Sequence, residues 1–400
     1  MTKILMVIDE HFPPDLRLEK EIPVLKNSGY ELTLVCYRKK GQALEEILNG
    51  VRIIRTRIAI SHSLKGYFDI LNSIFFINWP IKRTLNSLND EYDIVHAHDL
   101  PVSNTVINWA KNRKIKTVLD LHENYADALS IWFAWRKSLL VKIKNRLFFS
   151  YDKWMSREKK MVQDYDKVIA VIDEMKDRLI AMYEIPEKKV YVVRNSEPKN
   201  RFDGDKVKEV ESGPLDIVYV GGIGPHRGLD VAILGMPELV KFNPDFKLVI
   251  VGTGNPDNID HLRKVAREAG VANNVVFKGR KPFGEALGYM KGAFMNIIPH
   301  LKIPQNDNGL PHKLFQIMNS QYPLLVSSCD PLERILKTEN CGSVFEAGNP
   351  KSFSEKIIWA YHHHEQVKEM AKNGRKAIQE GNQNWEYDSK ILLKTYSDFS

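Results

Sequence analysis

Short apolar runs rich in β-branched residues alternate with longer amphipathic stretches along almost the whole chain, and this alternation limits the possible folds more than any other feature. A strand that is followed by a helix and then by another strand builds a parallel sheet covered on both faces. The sequence therefore predicts an α/β protein with two doubly wound, Rossmann-like domains. The predicted strands are residues 3–8, 31–37, 51–57, 94–96, 117–120, 167–171 and 190–193 in the first domain, and 216–220, 247–251, 275–278, 295–298, 324–327 and 342–345 in the second.

A polar segment separates the two groups of strands. Residues 196–214 contain two glycines, two prolines and many charges without apolar periodicity, which is typical of a linker. We predict an N-terminal domain at 1–195, a C-terminal domain at 215–382, and a C-terminal helix at about 383–400 that returns to the N-terminal domain. The two domains are expected to face an interdomain cleft, because open parallel sheets bind ligands at the carboxyl ends of their strands.

The cysteines and the apolar runs indicate the cellular compartment of the protein. Cys36, Cys329 and Cys341 show no CxxC spacing, so we expect reduced thiols and no disulfide, as in a cytosolic protein. The N-terminus lacks the apolar core and the cleavage site of a signal peptide. The most apolar stretch, 70–81, is shorter than the roughly 20 residues that a membrane-spanning helix needs. We therefore predict a cytoplasmic protein.

A glycine-rich turn follows the first strand of the second domain. Residues 219–230 read YVGGIGPHRGLD and open a predicted helix. Glycines allow a tight turn, a helix N-terminus offers free N–H groups to an anion, and Arg227 adds a fixed cation. The spacing matches neither GxGxxG nor a P-loop, which argues against nicotinamide dinucleotides and P-loop chemistry. The turn predicts a diphosphate site at Gly221, Gly222, Ile223 and Arg227, and a βα turn without a ligand is the alternative.

A second loop, 308–318, lies between two predicted strands and reads NGLPHKLFQIM. Its Gly-Leu-Pro segment leads into a helix on which Lys313 and Gln316 lie one turn apart. Lys313 can bind a second edge of a phosphate group, and Gln316 can hydrogen-bond the hydroxyls of a sugar. The residues of this loop predicted to bind the ligand are Asn308, Gly309, Leu310, Pro311, Lys313, Leu314 and Gln316.

Five segments in a fixed order give the sequence a recognisable overall pattern. They are FPPDLRLEKE at 12–21, DIVHAHD at 93–99, LDLHEN at 119–124, VGGI with RG at 220–223 and 227–228, and GLPHKLFQ at 309–316. The pattern resembles glycosyltransferase family 4, the retaining nucleotide-sugar transferases of the glycosyl transferases group 1 type, over nearly the whole chain. The resemblance implies a GT-B fold and a metal-independent transfer of a sugar from a nucleotide diphosphate.

The resemblance also implies roles for residues of the donor site. The diphosphate-binding lysine of the family falls on Arg227. The arginine of its glycine loop falls on Gly222, and we expect Lys313 to replace part of the lost charge. The two family glutamates that contact the donor sugar and the ribose fall on Asn308 and Gln316, which keep hydrogen-bonding capacity but lose negative charge.

On the N-terminal side, the family histidine near the transferring sugar falls on His122, which is therefore assigned to catalysis together with Arg227 and Lys313. A strand end that faces the cleft also suits a polar group that meets the reacting centre, and a capping pair of His122 with Glu123 is the alternative. The residues predicted on the acceptor side are Asp15, Arg17, His98, Asp99 and Glu123. Helix caps and surface pairs are the alternatives for these residues.

In the predicted reaction the leaving group is a diphosphate, so the site must stabilise the negative charge that develops on the leaving oxygen. We identify no carboxylate placed as a nucleophile and favour attack from the same face, with the departing phosphate accepting the proton of the acceptor. No metal and no other cofactor is predicted. The Asp-x-Asp patterns at 164–166 and 203–205 are attributed to chance, and the histidines at 362–364 to a surface helix.

One segment concentrates positive charge. Residues 131–160 hold nine Lys or Arg and two Asp or Glu, an excess of seven in a chain whose net charge is +8. Apolar residues at helical spacing, flanked by these cations, suit an anionic membrane interface, and packing of that face on the domain is the alternative. The absence of a nucleic-acid motif argues against nucleic acid as a partner. The predicted membrane-facing residues are Trp132, Trp135, Arg136, Lys137, Lys142 and Lys144.

These observations predict a hexosyl- or N-acetylhexosaminyltransferase that uses a UDP- or GDP-sugar and a glycan or lipid-linked acceptor in surface polysaccharide or glycolipid biosynthesis of the cell envelope. It is expected to be cytoplasmic and peripheral at the inner face of the cell membrane. Two alternatives stay open. One is a non-catalytic GT-B partner subunit that binds nucleotide or glycan, suggested by Gly222, Asn308 and Gln316, and the other is a sugar-nucleotide epimerase on the same fold.

Overall fold

A computed structural model describes residues 1–134, 149–200 and 207–399. The chain folds as two compact units, Met1–Arg194 together with Asp388–Ser400, and Asn195–Tyr387. We predicted the corresponding boundaries at 195 and at about 383. The described residues of the predicted linker lie in the second unit.

The first unit is built on an eight-stranded sheet. Its strands are β1 (Lys3–His11), β2 (Glu31–Arg38), β3 (Glu45–Leu48), β4 (Val51–Ala59), β5 (Ile94–His98), β6 (Lys116–Leu121), β7 (Lys167–Ala170) and β8 (Val190–Val192). Their order is β3-β4-β2-β1-β5-β6-β7-β8, and all neighbours are parallel except β3 and β4. In the central strand, β1, the consecutive residues Ile4, Leu5, Met6 and Val7 are all completely buried, as expected when helices cover both faces.

Helices connect these strands. They are α1 (Leu18–Asn27), α2 (His62–Phe75), α3 (Trp79–Leu85), α4 (Leu100–Lys111), α5 (Tyr125–Ala134), α6 (Tyr151–Asp164) and α7 (Asp173–Tyr183), with a 3₁₀ turn at Glu187–Lys189. Local sequence sets their starts: α3 begins after Asn78, whose Oδ1 accepts a hydrogen bond from the Ile81 N–H at 3.2 Å, and Pro80 follows in the first turn.

The second unit contains a six-stranded parallel sheet. Its strands are β9 (Asp216–Val220), β10 (Lys247–Val251), β11 (Val275–Gly279), β12 (Met295–Ile298), β13 (Leu324–Ser327) and β14 (Ser343–Phe345), in the order β11-β10-β9-β12-β13-β14. Its helices are α8 (Leu229–Phe242), α9 (Pro256–Glu268), α10 (Phe283–Gly292), α11 (Pro304–Asp307), α12 (His312–Asn319), α13 (Asp330–Glu339), α14 (Pro350–His362) and α15 (His364–Gln379), with 3₁₀ turns at Pro225–Arg227 and Ala272–Asn274. The core joins sheet residues such as Ile217 and Ile250 to helix residues such as Met236 and Phe353.

The last helix, α16 (Trp385–Ser397), begins in the second unit and ends in the first. Arg194 Nε donates to Asp388 Oδ1 at 2.9 Å. Further along, Lys167 Nζ donates to the main-chain oxygen of Thr395 at 2.9 Å. These contacts attach the end of the chain to the first unit.

The predicted α/β class with two Rossmann-like parallel sheets is confirmed. Every predicted strand is present, and the boundaries agree to within a few residues. One strand, β3, was missed. Its sequence, EEIL, is half acidic, and it lies at the antiparallel edge of the sheet, where Ile47 is 76% exposed, so it lacks the apolar run that marks a buried strand.

Both sheets reverse their strand order beside the first strand of the unit. β1 lies between β2 and β5, and β9 lies between β10 and β12. Connections leave in opposite directions at such a point, so a crevice opens at the carboxyl ends of the two strands, where open α/β sheets bind ligands. The loops after β5 and β9 are therefore the expected positions of ligand-binding residues.

Candidate functional site

The loops that follow β9 and β12 meet at the switch point of the second sheet. The main-chain oxygen of His226, in the first loop, accepts a hydrogen bond from the Leu301 N–H at 3.1 Å and from Asn306 Nδ2 at 2.9 Å, both in the second loop. The two loops therefore form one surface of the second unit.

Basic side chains converge on this surface. Arg227 Nη1 donates to His300 Nε2 at 2.9 Å, and Lys313 Nζ lies 3.7 Å from the centre of the Tyr219 ring. Lys313 Nζ and His226 Nδ1 are buried and have no hydrogen-bond partner among the described residues. A buried ammonium group without an acceptor is costly, and an anion is the ligand that would satisfy it.

Burial and mutual repulsion favour the neutral forms of these groups. Burial, and then the charges of Arg227 and Lys313, lower the pKa of His226 to about 4. Burial and the same two cations hold the pKa of His300 well below its usual value. Burial, and then Arg227, also lowers the pKa of Lys313 well below its usual value. An anion that enters the site favours the protonated lysine, so the site gains positive charge when it binds one.

Two glycines of the first loop are required by close contacts. Gly228 has φ +64°, and a Cβ there would lie 1.9 Å from the main-chain oxygen of Pro299. Gly221 has φ +148°, and a Cβ there would lie 3.1 Å from Lys313 Nζ. A Cβ at Gly222 would meet no atom within 4 Å. The predicted glycine turn is therefore tight at Gly221 and Gly228, and it opens to free space at Gly222.

The helix that this segment opens begins at Leu229. A 3₁₀ turn at Pro225–Arg227 follows the glycines, and α8 starts only at Leu229, because Gly228 adopts a left-handed conformation between them. Arg227 therefore projects from the 3₁₀ turn, and an acid, Asp230, already lies in the first turn of α8.

The predicted loop between β12 and β13 leads into α12. This helix begins at His312, directly after Pro311, and carries Lys313 and Gln316 one turn apart. Lys313 reaches Tyr219 at the end of β9. The second loop thus brings a cation to the first, as the sequence indicated.

Other predicted residues of this loop have contacts inside the protein. Leu310 and Leu314 are buried, which fixes the loop on the core. Asn308 Nδ2 donates to the main-chain oxygen of Pro304 at 2.7 Å, so its amide group stabilises α11. A Cβ added at Gly309 would lie 3.5 Å from the main-chain oxygen of Gln305, which is an ordinary contact distance.

At the switch point of the first sheet, histidines surround one carboxylate. Asp120 Oδ2 lies 3.3 Å from His122 Nε2, 3.6 Å from His98 Nδ1 and 3.8 Å from His96 Nε2. Its other oxygen, Oδ1, lies 3.7 Å from Arg17 Nη1. Residues two apart on a strand share a face, and the register places His98 opposite Asp120, so β5 and β6 bring these groups together.

The charges in this cluster follow from burial and from Arg17. Burial disfavours ionised Asp120, but His122, His98 and Arg17 outweigh it and hold the pKa of that carboxyl well below its usual value. Burial, and then Arg17, lowers the pKa of His122 to about 4. His122 is therefore neutral at pH 7. Its side chain is 19% exposed, whereas those of His96 and His98 are fully buried, so His122 is the histidine of this cluster that a ligand can reach.

Helix capping accounts for two predicted acceptor-side residues. Asp15 Oδ1 accepts hydrogen bonds from the N–H groups of Arg17 and Leu18 at 3.0 and 2.9 Å, at the start of α1. Asp99 Oδ1 accepts one from the Leu100 N–H at 2.9 Å, at the start of α4. Burial, and then the neighbouring charge of Glu123, raises the pKa of Asp99 well above its usual value.

The predicted membrane-facing segment is described only at its ends. The backbone of Trp132 lies in α5, while Trp135, Arg136, Lys137, Lys142 and Lys144 lie outside the described residues. In α6, Trp154 is 1% exposed, and the Arg157 guanidinium lies 4.6 Å from its ring centre. This end of the basic segment packs into the first unit.

The patterns that we attributed to chance have ordinary contacts. Asp164 pairs with Lys111 Nζ at 2.9 Å, and Asp166 accepts hydrogen bonds from the N–H and hydroxyl of Thr117. Residues 203–205 lie outside the described residues. The histidines at 362, 363 and 364 contact three different rings, those of Phe242, Trp359 and Phe294.

Sequence reasoning missed several residues of both clusters. Gly252 and Gly254 follow β10. A Cβ at Gly252 would lie 1.8 Å from the main-chain oxygen of Gly221, and a Cβ at Gly254 would lie 2.0 Å from that of Ile223. Their signal was a second glycine pair after a strand. The other missed residues are Tyr219, His226 and His300 in the second unit, and Glu21, Asp120 and Tyr396 in the first.

The chain matches two family models, Glycosyl transferases group 1 over residues 201–377 and Glycosyltransferase Family 4 over residues 22–196. An uncharacterized glycosyltransferase from Methanocaldococcus jannaschii is 24% identical over 390 residues, which cover 93% of this chain and 90% of the relative.

Solved structures share the fold over the whole length. Sucrose-phosphate synthase from Thermosynechococcus elongatus superposes with a TM-score of 0.75 at 13% identity and covers 100% of this chain and 99% of its own. Anabaena HepE in complex with UDP-glucose gives a TM-score of 0.68 at 14% identity, with 100% of both chains covered. WaaG, a glycosyltransferase involved in lipopolysaccharide biosynthesis, gives 0.64 at 14% identity, with 98% of each chain covered.

Two Rossmann-like units with these structural neighbours define the GT-B fold. The two family models together account for most of the sequence, and the chain belongs to glycosyltransferase family 4, of the group 1 type. Among the described residues, no helix combines the length and the apolar character needed to cross a bilayer.

Proposed function

We propose that the protein transfers a hexosyl or N-acetylhexosaminyl group from a UDP- or GDP-sugar to a glycan or lipid-linked acceptor, with retention of anomeric configuration and without a metal at the diphosphate. The observation that supports this most is Lys313 Nζ, which is buried beside Arg227 without a hydrogen-bond partner in the described part of the chain. An anionic group would make such a pair favourable, because it would supply the missing acceptor and balance the charge. HepE, which has the same fold, binds UDP-glucose.

In this reaction the positive groups of the second unit stabilise the leaving diphosphate. Arg227 and Lys313 bind its oxygens while the sugar gains oxocarbenium character. The acceptor attacks from the face that the phosphate leaves, and the departing phosphate oxygen takes the acceptor's proton. Each preorganised donor at such an oxygen contributes about 3–4 kcal/mol to the barrier difference.

The first unit contributes a neutral polar group. His122 has a pKa of about 4, because of burial and Arg17, and so offers a ring nitrogen as a hydrogen-bond partner without a charge at pH 7. A sugar hydroxyl is neutral, and a neutral imidazole binds it without attracting the diphosphate. In this proposal His122 orients the transferring sugar.

The proposed acceptor is a glycan or lipid-linked sugar of a cell-envelope polysaccharide or glycolipid, and the proposed site of action is the cytoplasmic face of the membrane. WaaG, of the same fold, takes part in lipopolysaccharide biosynthesis, and residues 131–160 carry an excess of seven basic side chains. Sedimentation with anionic and with neutral liposomes tests the membrane part. Binding to anionic vesicles alone supports it, and binding to neither contradicts it.

Donor binding is tested by thermal shift with UDP, GDP, ADP and their sugars. A ligand at 100 times its Kd stabilises the folded protein by about 2.7 kcal/mol, which gives a clear rise in Tm. We expect a rise with one diphosphate and its sugars, and none with Arg227→Ala. Lys264→Ala is the matched control, because Lys264 is an exposed cation of the same unit. Its Nζ lies 3.6 Å from Glu268 Oε1 on α9. An unchanged shift in Arg227→Ala removes Arg227 from the site.

Turnover separates the proposed transferase from the other two candidates. Acceptor-dependent release of nucleoside diphosphate, with a product of retained configuration by NMR, supports the transferase. Binding without turnover across glycan and lipid-linked acceptors indicates a non-catalytic partner, which the loss of charge at Gly222, Asn308 and Gln316 would explain. A new sugar nucleotide formed from the donor alone indicates an epimerase.

A further inference from the structure

Four buried side chains of the first unit face one another with unsatisfied atoms. Glu21 on α1, His96 and His98 on β5, and Asp120 on β6 are each at most 1% exposed. Glu21 Oε2, His96 Nε2 and His98 Nε2 have no hydrogen-bond partner within residues 1–134, 149–200 and 207–399. Asp120 Oδ1 has no hydrogen bond there either, but it lies 3.7 Å from Arg17 Nη1 in an ion pair. Buried polar atoms are normally paired, because they have given up their hydration. The cluster therefore lacks a partner.

Strand geometry explains why these groups meet. His96 and His98 are alternate residues of β5, so their side chains leave the same face of the sheet. The register places His98 opposite Asp120 on β6. One nitrogen or oxygen from each of the four side chains, Glu21 included, lies within 4.8 Å of all the others.

The donor set and its spacing suit a divalent metal ion. Asp120 Oδ2 lies 3.6 Å from His98 Nδ1 and 3.8 Å from His96 Nε2. Zinc binds nitrogen and oxygen at about 2.0–2.2 Å in a tetrahedron, which sets neighbouring donor atoms about 3.3–3.6 Å apart. Two imidazoles and two carboxylates form a mixed set of the kind that zinc accepts. We propose that Glu21, His96, His98 and Asp120 bind one zinc ion.

Neighbouring groups hold these ligands in place. Tyr396 Oη, on α16, lies 2.6 Å from His96 Nδ1, which orients the ring and leaves Nε2 for the metal. Arg17 lies on the Oδ1 side of Asp120, away from the oxygen that faces the imidazoles. His122 Nε2 lies 3.4 Å from His98 Nδ1, at the edge of the set, and is not among the proposed ligands.

The proposed site is structural. Four protein ligands complete the tetrahedron, and buried four-coordinate zinc sites add folding stability, while catalytic sites keep one position open. The ion joins α1 to β5 and β6, and Tyr396 extends the connection to α16. The proposed zinc ligands belong to the first unit and the groups proposed to bind the diphosphate belong to the second, so a metal here is compatible with metal-independent transfer.

The test measures metal retained by the full-length, untagged protein. The protein is stripped of metal with a chelator, incubated with Zn²⁺ and passed through a desalting column. Its zinc content is then measured by inductively coupled plasma mass spectrometry. We expect one zinc per chain and a higher Tm than for the stripped protein. With Co²⁺ in place of zinc, we expect the visible absorption of a tetrahedral complex.

Three variants locate the ion. Glu21→Gln keeps the shape of the side chain but removes a ligand, and we expect it to lose the retained zinc and the cobalt absorption. Tyr396→Phe leaves the ligands intact and should weaken zinc binding about 10-fold through the loss of an outer hydrogen bond. The control replaces His362, His363 and His364 with alanine and should keep one zinc per chain, since that run lies in the second unit.

Circular dichroism tests whether each variant is folded. If Glu21→Gln is unfolded, the zinc affinity of Tyr396→Phe tests the proposal instead. The proposal is overturned if the wild-type protein retains no zinc. It is also overturned if zinc is lost from the triple-histidine variant and kept by Glu21→Gln, because the metal then binds at the surface run.

Discussion

The two units place a polar cluster at the same position of their sheets, yet the clusters have opposite electrostatic character. In the second unit, Arg227 and Lys313 lie together with two histidines, and the Lys313 amino group is buried without a partner among the described residues. In the first unit, three histidines surround the carboxylate of Asp120, and Arg17 is the cation that faces it. Equivalent topology therefore supports different chemistry, because the side chains after the strands differ. One cluster suits a polyanion, and the other suits neutral hydroxyls or a metal ion.

Replacing the buried lysine should affect the second cluster most. Lys313→Met keeps an unbranched side chain of nearly the same length, but removes the amino group that lies over the Tyr219 ring and has no described partner. We expect kcat/KM to fall about 10²–10³-fold, as for the loss of one donor to a leaving oxygen. The free protein should become more stable, by about 1 kcal/mol, because the substitution removes a buried amino group that has given up its hydration without gaining a described partner. Steady-state kinetics and urea unfolding measure the two effects.

A variant that loses neither activity nor nucleotide affinity would contradict the role of Lys313. The exposed Lys264→Met serves as the control, since its ammonium group is in solvent and should affect neither quantity.

Replacing His122, the partly exposed histidine of the first cluster, should lower the turnover number without changing diphosphate affinity. His122→Ala removes a neutral polar group and no charge, so we expect kcat to fall about 100-fold while the Kd for the nucleoside diphosphate is unchanged. Enzyme kinetics and titration calorimetry give the two numbers. His11→Ala is the matched control, because this histidine bonds the Ile60 main-chain oxygen at 2.9 Å and lies outside the cluster. A parallel loss of diphosphate affinity in His122→Ala would contradict the division of roles.

Diphosphate binding should take up protons in the second unit. Burial, and then Arg227, lowers the pKa of Lys313 in the free protein, and a bound diphosphate raises it. Protons are therefore bound together with the ligand, and affinity should fall as pH rises above 7.5, where the phosphate itself is fully ionised. Calorimetry in two buffers of different ionisation enthalpy counts the protons. Proton release, or the same uptake in Lys313→Met, would contradict the assignment.

The smallest expected effect is a pH dependence of stability that belongs to the first unit. Asp9 is buried, and burial, opposed by Lys65 and reinforced by Glu10 and Asp69, raises its pKa to about 7. The folded protein then holds a proton that the unfolded chain has already lost, so stability should decline from about pH 4 to pH 7 and level off above. Asp9→Asn should remove this slope and add on the order of 2 kcal/mol at pH 8.

Urea unfolding across this pH range tests the expectation. Tyr37 also faces Asp9, but its own pKa is raised by burial and it stays neutral throughout. Equal slopes in Asp9→Asn and the wild type would show that another group causes the dependence.

Much of the fold followed from the sequence, because each buried strand is an unbroken apolar run between turn residues. β3 escaped since its two acids and its position at a sheet edge give no such run. The glycine turn after β9 was also predictable as a turn, because its glycines lie within one short segment that follows a strand.

The clusters themselves were less predictable, since they are assembled across the chain. Arg227 meets His300, 73 residues further on, only because β9 and β12 are neighbours. Tyr396 and His96 lie 300 residues apart. A sequence shows that His96 and His98 share a face, but not that a glutamate of α1 and a tyrosine of α16 reach them.

Hydrogen exchange with and without a nucleoside diphosphate tests the division between the clusters most directly. With UDP, or with GDP if the thermal-shift screen favours it, we expect protection of the backbone at 221–228 and 309–313 and little change at 96–99 and 120–123. Arg227→Ala should abolish this protection. Protection confined to the first unit, or equal in the mutant, would contradict the claim that the second unit binds the donor diphosphate.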